Sequence, residues 1–519
     1  MKRIKINVSN KEREYDAYAL ITSYFPGFEV VTADEDGEYE GVFNIEEADE
    51  EIRFVFTLGD KETEEKHALS SSEKDERKKE IGLLLYDSLV KFTGHELPWG
   101  NLTGIRPTKL IRTLLEEEIK NCGKSLVSNE DKDSKKADNI SADSKEADNI
   151  SGDSKELDDI KKKVWDRLYK ERRLHGDKLE LGTDIALREM DIMSRVHETE
   201  GYSVYIGIPF CPSTCLYCSF TSNPIFKYKN KIGEYLKALK KELEWTASNL
   251  SDRYLDTIYI GGGTPTTLSP EELDELLGYI TSILPFEHVK EFTIEAGRAD
   301  SITREKLEVI KKYPINRISV NPQTMSDETL KLIGRNHTVE QFVEAFKLAR
   351  SMGFENINTD IIIGLPGETT EDVRHTIDEL VKLAPDSLTV HSLAIKRASR
   401  LKRWMDENEL EITMDYDEAM RICAEGAKKL GLNPYYLYRQ KQMAGNLENT
   451  GYSVPGKEGL YNILIMEEIQ SIVAIGAGSV SKCVYPDGRI ERCDNVKDID
   501  LYLEKIDEMI DRKTALFSV

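Results

Sequence analysis

The stretch Val204-Tyr-Ile-Gly-Ile-Pro-Phe-Cys-Pro-Ser-Thr-Cys-Leu-Tyr-Cys-Ser-Phe220 decides how the rest of the chain is read. An apolar run, Ser203–Pro209, leads into Cys211, Cys215 and Cys218, spaced C-x3-C-x2-C. Three thiolates on one short loop can hold three irons of a [4Fe–4S] cube and leave the fourth without a protein ligand. That iron is a reaction site, for the same reason that a catalytic zinc keeps one position free. The spacing alone also admits a zinc knuckle, but no fourth Cys or His lies nearby. The chain has seven cysteines, and Cys122, Cys423, Cys483 and Cys493 are scattered without close ligand spacing. This is no disulfide framework, and a thiolate-held cluster implies a reduced, cytoplasmic setting.

Outward from the cysteines, residues 201–400 alternate short β-rich runs with amphipathic helical stretches. Strands are expected at Ser203–Pro209, Thr257–Gly261, Glu291–Glu295, Asn316–Asn321, Asn358–Gly364 and Ser387–Leu393. Helices are expected near Lys229–Ser248, Pro270–Ile283, Thr303–Lys312, Val339–Met352 and Thr370–Leu383. Six β-α units imply a parallel α/β sheet with right-handed crossovers, either doubly wound or an incomplete barrel. Both place chemistry at the carboxyl ends of the strands.

The flanks read differently. Residues 1–96 suggest an N-terminal α+β domain, with strands at Lys2–Val8 and Ile52–Leu58 and a helix over Glu73–Phe92. Leu97–Thr108 has the Gly and Pro of a linker, and helices follow at Lys109–Lys120, Ile160–Leu174 and Gly182–Glu200. Between them, 128–160 is of low complexity: a polar decapeptide recurs from Asp133, Asp143 and Asp153. It lacks an apolar face to stack and reads as a disordered acidic insertion within a helical linker region, 97–200. Residues 401–519 read as a small mixed C-terminal domain, with a helix at Tyr416–Leu430, an aromatic strand at Pro434–Lys441, a turn at Ile475–Ser479 and a last helix at Lys497–Arg512. A formal net charge of −24 argues against nucleic acid or an anionic membrane as partner. No apolar run approaches the ~20 residues of a membrane span, and the basic N-terminus lacks the apolar core of a signal peptide.

The informative residues gather where strands should end. Gly261-Gly-Gly-Thr-Pro-Thr266 follows the second strand, Glu295 closes the third, Gln323 lies just past the fourth, and Asp360 lies in the fifth. Arg335 stands in Gly334-Arg-Asn-His-Thr338. Carboxylates, an amide, a guanidinium and a Gly-Thr loop beside an open iron suit a zwitterionic, ribose-bearing ligand. His337, His375 and His391 are candidate proton donors or haem ligands, and equally ordinary hydrogen-bonded histidines.

These residues resemble the radical S-adenosylmethionine superfamily. Tyr205–Cys211, GGGTPT, Arg317-Ile-Ser-Val-Asn-Pro-Gln-Thr324, Gly334-Arg-Asn-His337 and Asn358–Gly367 resemble the oxygen-independent coproporphyrinogen III oxidase family. Glu295-Ala-Gly-Arg298, Tyr436–Lys441 and the long N-terminal region resemble its HemZ branch. The resemblance implies a partial (β/α)6 TIM-like barrel, a [4Fe–4S] cluster on Cys211, Cys215 and Cys218, and S-adenosyl-L-methionine chelated to the open iron. Tyr205, the backbone at Tyr217, Gly262, Gly263, Thr264, Glu295, Gln323, Arg335, Asp360 and Ile362 would line the cofactor site. A low-potential donor such as flavodoxin or ferredoxin would supply the electron for a 5′-deoxyadenosyl radical. The implied reaction converts two propionates of coproporphyrinogen III to vinyls, giving protoporphyrinogen IX in haem biosynthesis. The chain departs from the oxidases at Gly207, where they usually carry His, and at Phe220, where they have a further cysteine. Their E-x-N-P becomes Glu295-Ala-Gly-Arg298, and Asn321-Pro322 precedes Gln323. The alternative expectation is a haem chaperone, as in the related HemW branch, holding cluster and haem without oxidase activity.

Overall fold

The computed structural model describes the chain apart from residues 1, 33–36, 105, 123–153, 219–221, 395–399, 409–413, 440–446 and 519. The chain forms two units: 1–187 with 437–448, and 188–436 with 449–519. In the second unit, six parallel strands run in sequence order across one sheet: Gly201–Ile208, Tyr254–Gly262, Glu291–Gly297, Arg317–Val320, Ile357–Ile363 and Ser387–Ser392. Helices Ile232–Asn249, Pro270–Ile283, Arg304–Lys311, Val339–Ser351 and Thr370–Leu383 join them. The strands are almost wholly buried, as a sheet covered on both faces requires. Local signals start the helices: Ser269 with Glu272, and Thr338 with Gln341, form capping boxes. The barrel is not closed.

Both edges of the six-stranded sheet are extended by the chain's last third. Asn449–Ser453 pairs antiparallel with the sixth strand. Ser471–Ile475 pairs parallel with the first, followed outward by Val480–Val484 and Ile490–Asp494. The expected separate domain at 401–519 is therefore corrected: its strands extend the barrel sheet within the same unit, giving partners to edge N–H and C=O groups, and 437–448 groups with the N-terminal unit. Those pairings, such as Ser471 with Tyr202, leave no local mark in the sequence.

The N-terminal unit holds a five-stranded sheet ordered Glu29–Thr32, Arg3–Val8, Gly41–Glu47, Glu51–Leu58, Lys61–Ala68, with helices Lys11–Tyr24 and Lys74–Thr93. Its core is aromatic, built on Phe43, Phe54, Phe56 and Phe92. The stretch expected to be a linker contributes core: Trp99 is fully buried and its Nε1 donates to Glu448 at 2.8 Å. The insertion is also corrected at its end. The first two decapeptide copies lie outside the described residues, but helix Ser154–Arg172 takes up the third. There Leu157, Ile160, Val164 and Leu168 repeat at helical spacing, and the last three are buried.

Candidate functional site: a cysteine loop on the barrel rim

The cysteine loop leaves the first barrel strand through a two-residue strand, Phe210–Cys211, paired with Asn223–Pro224. Cys211 and Cys215 are buried and Cys218 is half-buried. The loop is tied down at every turn. Leu216 N donates to Ile333 O at 2.9 Å, Ser213 Oγ to Gly334 O at 3.0 Å, and Cys218 N to Cys215 O at 3.3 Å. Cys211 Sγ lies 3.5 Å from Thr264 Oγ1. Arg298 Nη1 reaches Ser213 O at 3.0 Å and Cys215 Sγ at 3.6 Å. Burial pushes the Cys211 thiol up to about 11; the Thr264 hydroxyl works against this, while Cys218 and Cys215 add to it. The neighbouring cysteines thus add to what keeps the Cys211 thiol from ionising, and a bound cation would relieve this.

The glycine loop packs directly on this strand. Gly263 N donates to Ile208 O at 2.8 Å and Thr264 N to Phe210 O at 2.7 Å. Gly262 has φ 107°, open to glycine at little cost. A Cβ on Gly263 would fall 2.5 Å from Phe210 O, so only glycine allows the approach.

Two carboxylates face the same rim and are driven apart. Glu295 accepts from Tyr259 Oη at 2.6 Å. Burial pushes its carboxyl up to about 7; the Tyr259 hydrogen bond lowers it and the Asp360 charge raises it further. Burial would also raise Asp360, but bonding from His391, Asn358 and Thr389 outweighs it and holds the group below its ordinary range. Asn321 Nδ2 and Asn358 Nδ2 donate to its two oxygens at 2.8 and 2.7 Å. Near neutral pH the site thus holds one carboxylate and one readily protonated carboxyl, a division suited to a ligand with both hydroxyls and charge.

Gln323 carries the clearest strain. Its φ is +68°, in the left-handed region that side-chain-bearing residues avoid. Two backbone bonds to the fifth strand hold it: its N donates to Asp360 O at 3.0 Å and its O accepts from Ile362 N at 2.9 Å. Its side-chain Oε1 is buried without a hydrogen-bond partner. Strain together with an orphaned acceptor is the pattern a ligand-facing position would show. Ile362 sits in an apolar cluster with Leu330, Ile333 and Leu365, against which Leu216 and Tyr217 of the cysteine loop pack. Arg335 donates from Nε and Nη2 to Tyr217 Oη at 3.3 and 3.2 Å and from Nη1 to Asn321 O at 2.7 Å.

The sequence-expected residues thus form one connected set. Sequence reasoning missed Tyr259 and Tyr461. Tyr205, Tyr259 and Tyr461 form a stack with centroids 4.6–6.2 Å apart. Period-two alternation from Thr257 pointed Tyr259 toward one sheet face, but nothing local announced Tyr461. Of the three histidines, His391 Nε2 stands 3.8 Å from Asp360 Oδ2, His375 is exposed on its helix, and His337 is buried with neither ring nitrogen bonded.

The donor set fits a thiolate-held cluster with a zwitterionic ligand: three thiols on one loop, two guanidiniums beside it, an unused amide oxygen and a divided carboxyl pair. Among the described residues no three His, Cys, Asp or Glu side chains converge on a single ion. A cube instead spreads its thiolates over separate irons.

Residues 205–380 match the Radical SAM superfamily. The chain is 40% identical over 443 residues to the oxygen-independent coproporphyrinogen-III oxidase-like protein HemZ of Bacillus subtilis, covering 84% of this chain and 80% of that protein. It is 38% identical over 218 residues to the heme chaperone HemW of the same organism, covering 42% of this chain and 57% of that protein. Among solved structures, coproporphyrinogen III oxidase (HemN) of Escherichia coli, a Radical SAM enzyme, aligns with a TM-score of 0.48 at 21% identity, covering 65% of this chain and 74% of that one. The fold and the cysteine loop define a radical S-adenosylmethionine protein. More narrowly, the chain belongs to the family of HemZ-type oxygen-independent coproporphyrinogen-III oxidase-like proteins.

Proposed function

We propose that this chain oxidatively decarboxylates propionates of coproporphyrinogen III, giving the vinyl groups of protoporphyrinogen IX. The carrying observation is the likeness to HemZ across 84% of the chain, which takes in the flanks as well as the barrel. Cys211, Cys215 and Cys218 would hold the cluster. The Gly262–Thr264 backbone, Tyr205, Tyr217, Glu295, Gln323, Arg335, Asp360 and Ile362 would enclose S-adenosylmethionine. When bound, the cluster and S-adenosylmethionine would supply radical hydrogen-abstraction chemistry toward a propionate β-carbon, and the overall change would be loss of that hydrogen, CO2 and one electron to the acceptor. The protein's part is positioning and exclusion of water. Gln323 Oε1 offers its vacant lone pairs to a ligand N–H or O–H. Asp360, held ionised by two amides, accepts from a ligand hydroxyl or ammonium group. Glu295 does so as carboxylate or carboxylic acid. The reaction needs a low-potential donor, such as flavodoxin or ferredoxin, and a terminal acceptor.

A second reading, a haem-binding chaperone, draws on the likeness to HemW and on Gly207 and Phe220, where the oxidases differ. One anaerobic assay separates them. Protein with a reconstituted cluster is given S-adenosylmethionine, reductant, an electron acceptor and coproporphyrinogen III, and the porphyrins are resolved by chromatography. Protoporphyrinogen that disappears in Cys215→Ala is the expected result. Unchanged substrate, with stoichiometric haem binding in a separate titration, would replace the oxidase reading with the chaperone.

A further inference from the structure

The turn after the third barrel strand does two things at once. Register with the fourth strand shifts between Glu295 and Gly297, and Gly297 takes φ +54°. This turns the chain so that Glu295 reaches the rim while Arg298, three residues on, reaches the cysteine loop. Arg298 is 3% exposed. Its guanidinium is aimed by a two-point bond to Asp300, with Nε to Oδ1 at 3.0 Å and Nη2 to Oδ2 at 2.7 Å. The remaining nitrogen, Nη1, is shared among Ser213 O, Ser213 Oγ at 3.1 Å and Cys215 Sγ at 3.6 Å.

We propose that Arg298, aimed by Asp300, is a positioning residue that sets the reduction potential of a cluster bound at Cys215. This rests on the reading of the three cysteines as cluster ligands. A buried N–H directed at a ligating sulfur stabilises the reduced, more negative cluster over the oxidised one, and so does the cation's charge across a low-dielectric gap. Removing Arg298 therefore makes the cluster harder to reduce. Asp300 offsets part of that positive charge, so neutralising it works in the opposite sense. The Ser213 contacts give Arg298 an anchoring role as well, and the two roles separate experimentally. Pure anchoring predicts iron loss without opposed shifts in potential.

The experiment is a redox titration of the full-length reconstituted protein, without turnover, followed by electron paramagnetic resonance of the reduced cluster and paired with iron and sulfide analysis. Arg298→Leu is expected to shift the midpoint negative, Arg298→Lys to shift it less, and Asp300→Asn to shift it positive. An unchanged midpoint in fully loaded Arg298→Leu would overturn the proposal. If Arg298→Leu fails to retain iron, Asp300→Asn and Arg298→Lys decide: an unmoved or negatively shifted midpoint in Asp300→Asn overturns it equally. If wild type binds no cluster and Cys215→Ala changes nothing, the cluster assignment itself has failed, a result distinct from a cluster indifferent to Arg298.

Discussion

At the scale of single residues, Glu295 and Asp360 show how environment divides two similar groups. Glu295 meets burial with one hydroxyl partner, whereas Asp360 meets it with two amides and a histidine. Because the folded Glu295 carboxyl titrates near 7, above its ordinary 4.5, its contribution to stability is intact below about pH 4.5 and is lost as pH rises through 7. Glu295→Gln removes that titration. The variant should therefore gain stability over wild type progressively between pH 5 and 8, reaching roughly 2 kcal/mol. Urea unfolding of cluster-free protein across that range checks this, and a gain independent of pH would contradict it. Glu295, Gln323 and Asp360 were legible in the sequence because each lies in or just past an expected strand. Their division of labour was not, since Asn321 and His391, which brace Asp360, come from the segments on either side of its strand.

At the scale of elements, all six barrel strands were expected within about three residues of their observed ends. Buried parallel strands read as apolar runs, and the amphipathic helices between them carry clear caps. Lys61–Ala68 was not legible: an edge strand of alternating charge has no apolar face to signal it. Nor was the bracing of the loop at Gly476–Gly478. Helix Ile232–Asn249 presents Glu242, fully buried, to Lys513 Nζ at 2.6 Å, Asn495 Nδ2 at 2.8 Å and Gly476 N at 2.8 Å. This pair joins the last helix, Ile506–Phe517, to helix Ile232–Asn249, whose Glu242 also holds the turn after strand Ser471–Ile475. Lys513→Met strands the Glu242 charge and should cost about 3–5 kcal/mol, with much of the loss recovered by adding Glu242→Met. Urea denaturation of the two variants tests this, and a cost below 1 kcal/mol in the single variant would argue that the pair is not sealed from water.

At the scale of the molecule, a six-unit open barrel gathers the cysteine loop and the polar rim, and the chain's last third closes its sheet edges. The sequence foretold the barrel and rim because their signals are local. It divided the chain wrongly at 401 because edge pairing joins Ser471 to Tyr202 across most of the second unit. The central claim is that three cysteines hold a cube whose fourth iron is open to S-adenosylmethionine. Electron paramagnetic resonance of the reduced, reconstituted protein with and without S-adenosylmethionine tests it most directly. The account predicts a [4Fe–4S] signal that changes on adding the ligand and is lost in Cys215→Ala. A signal indifferent to S-adenosylmethionine, or zinc in place of iron in the protein as isolated anaerobically, would contradict it.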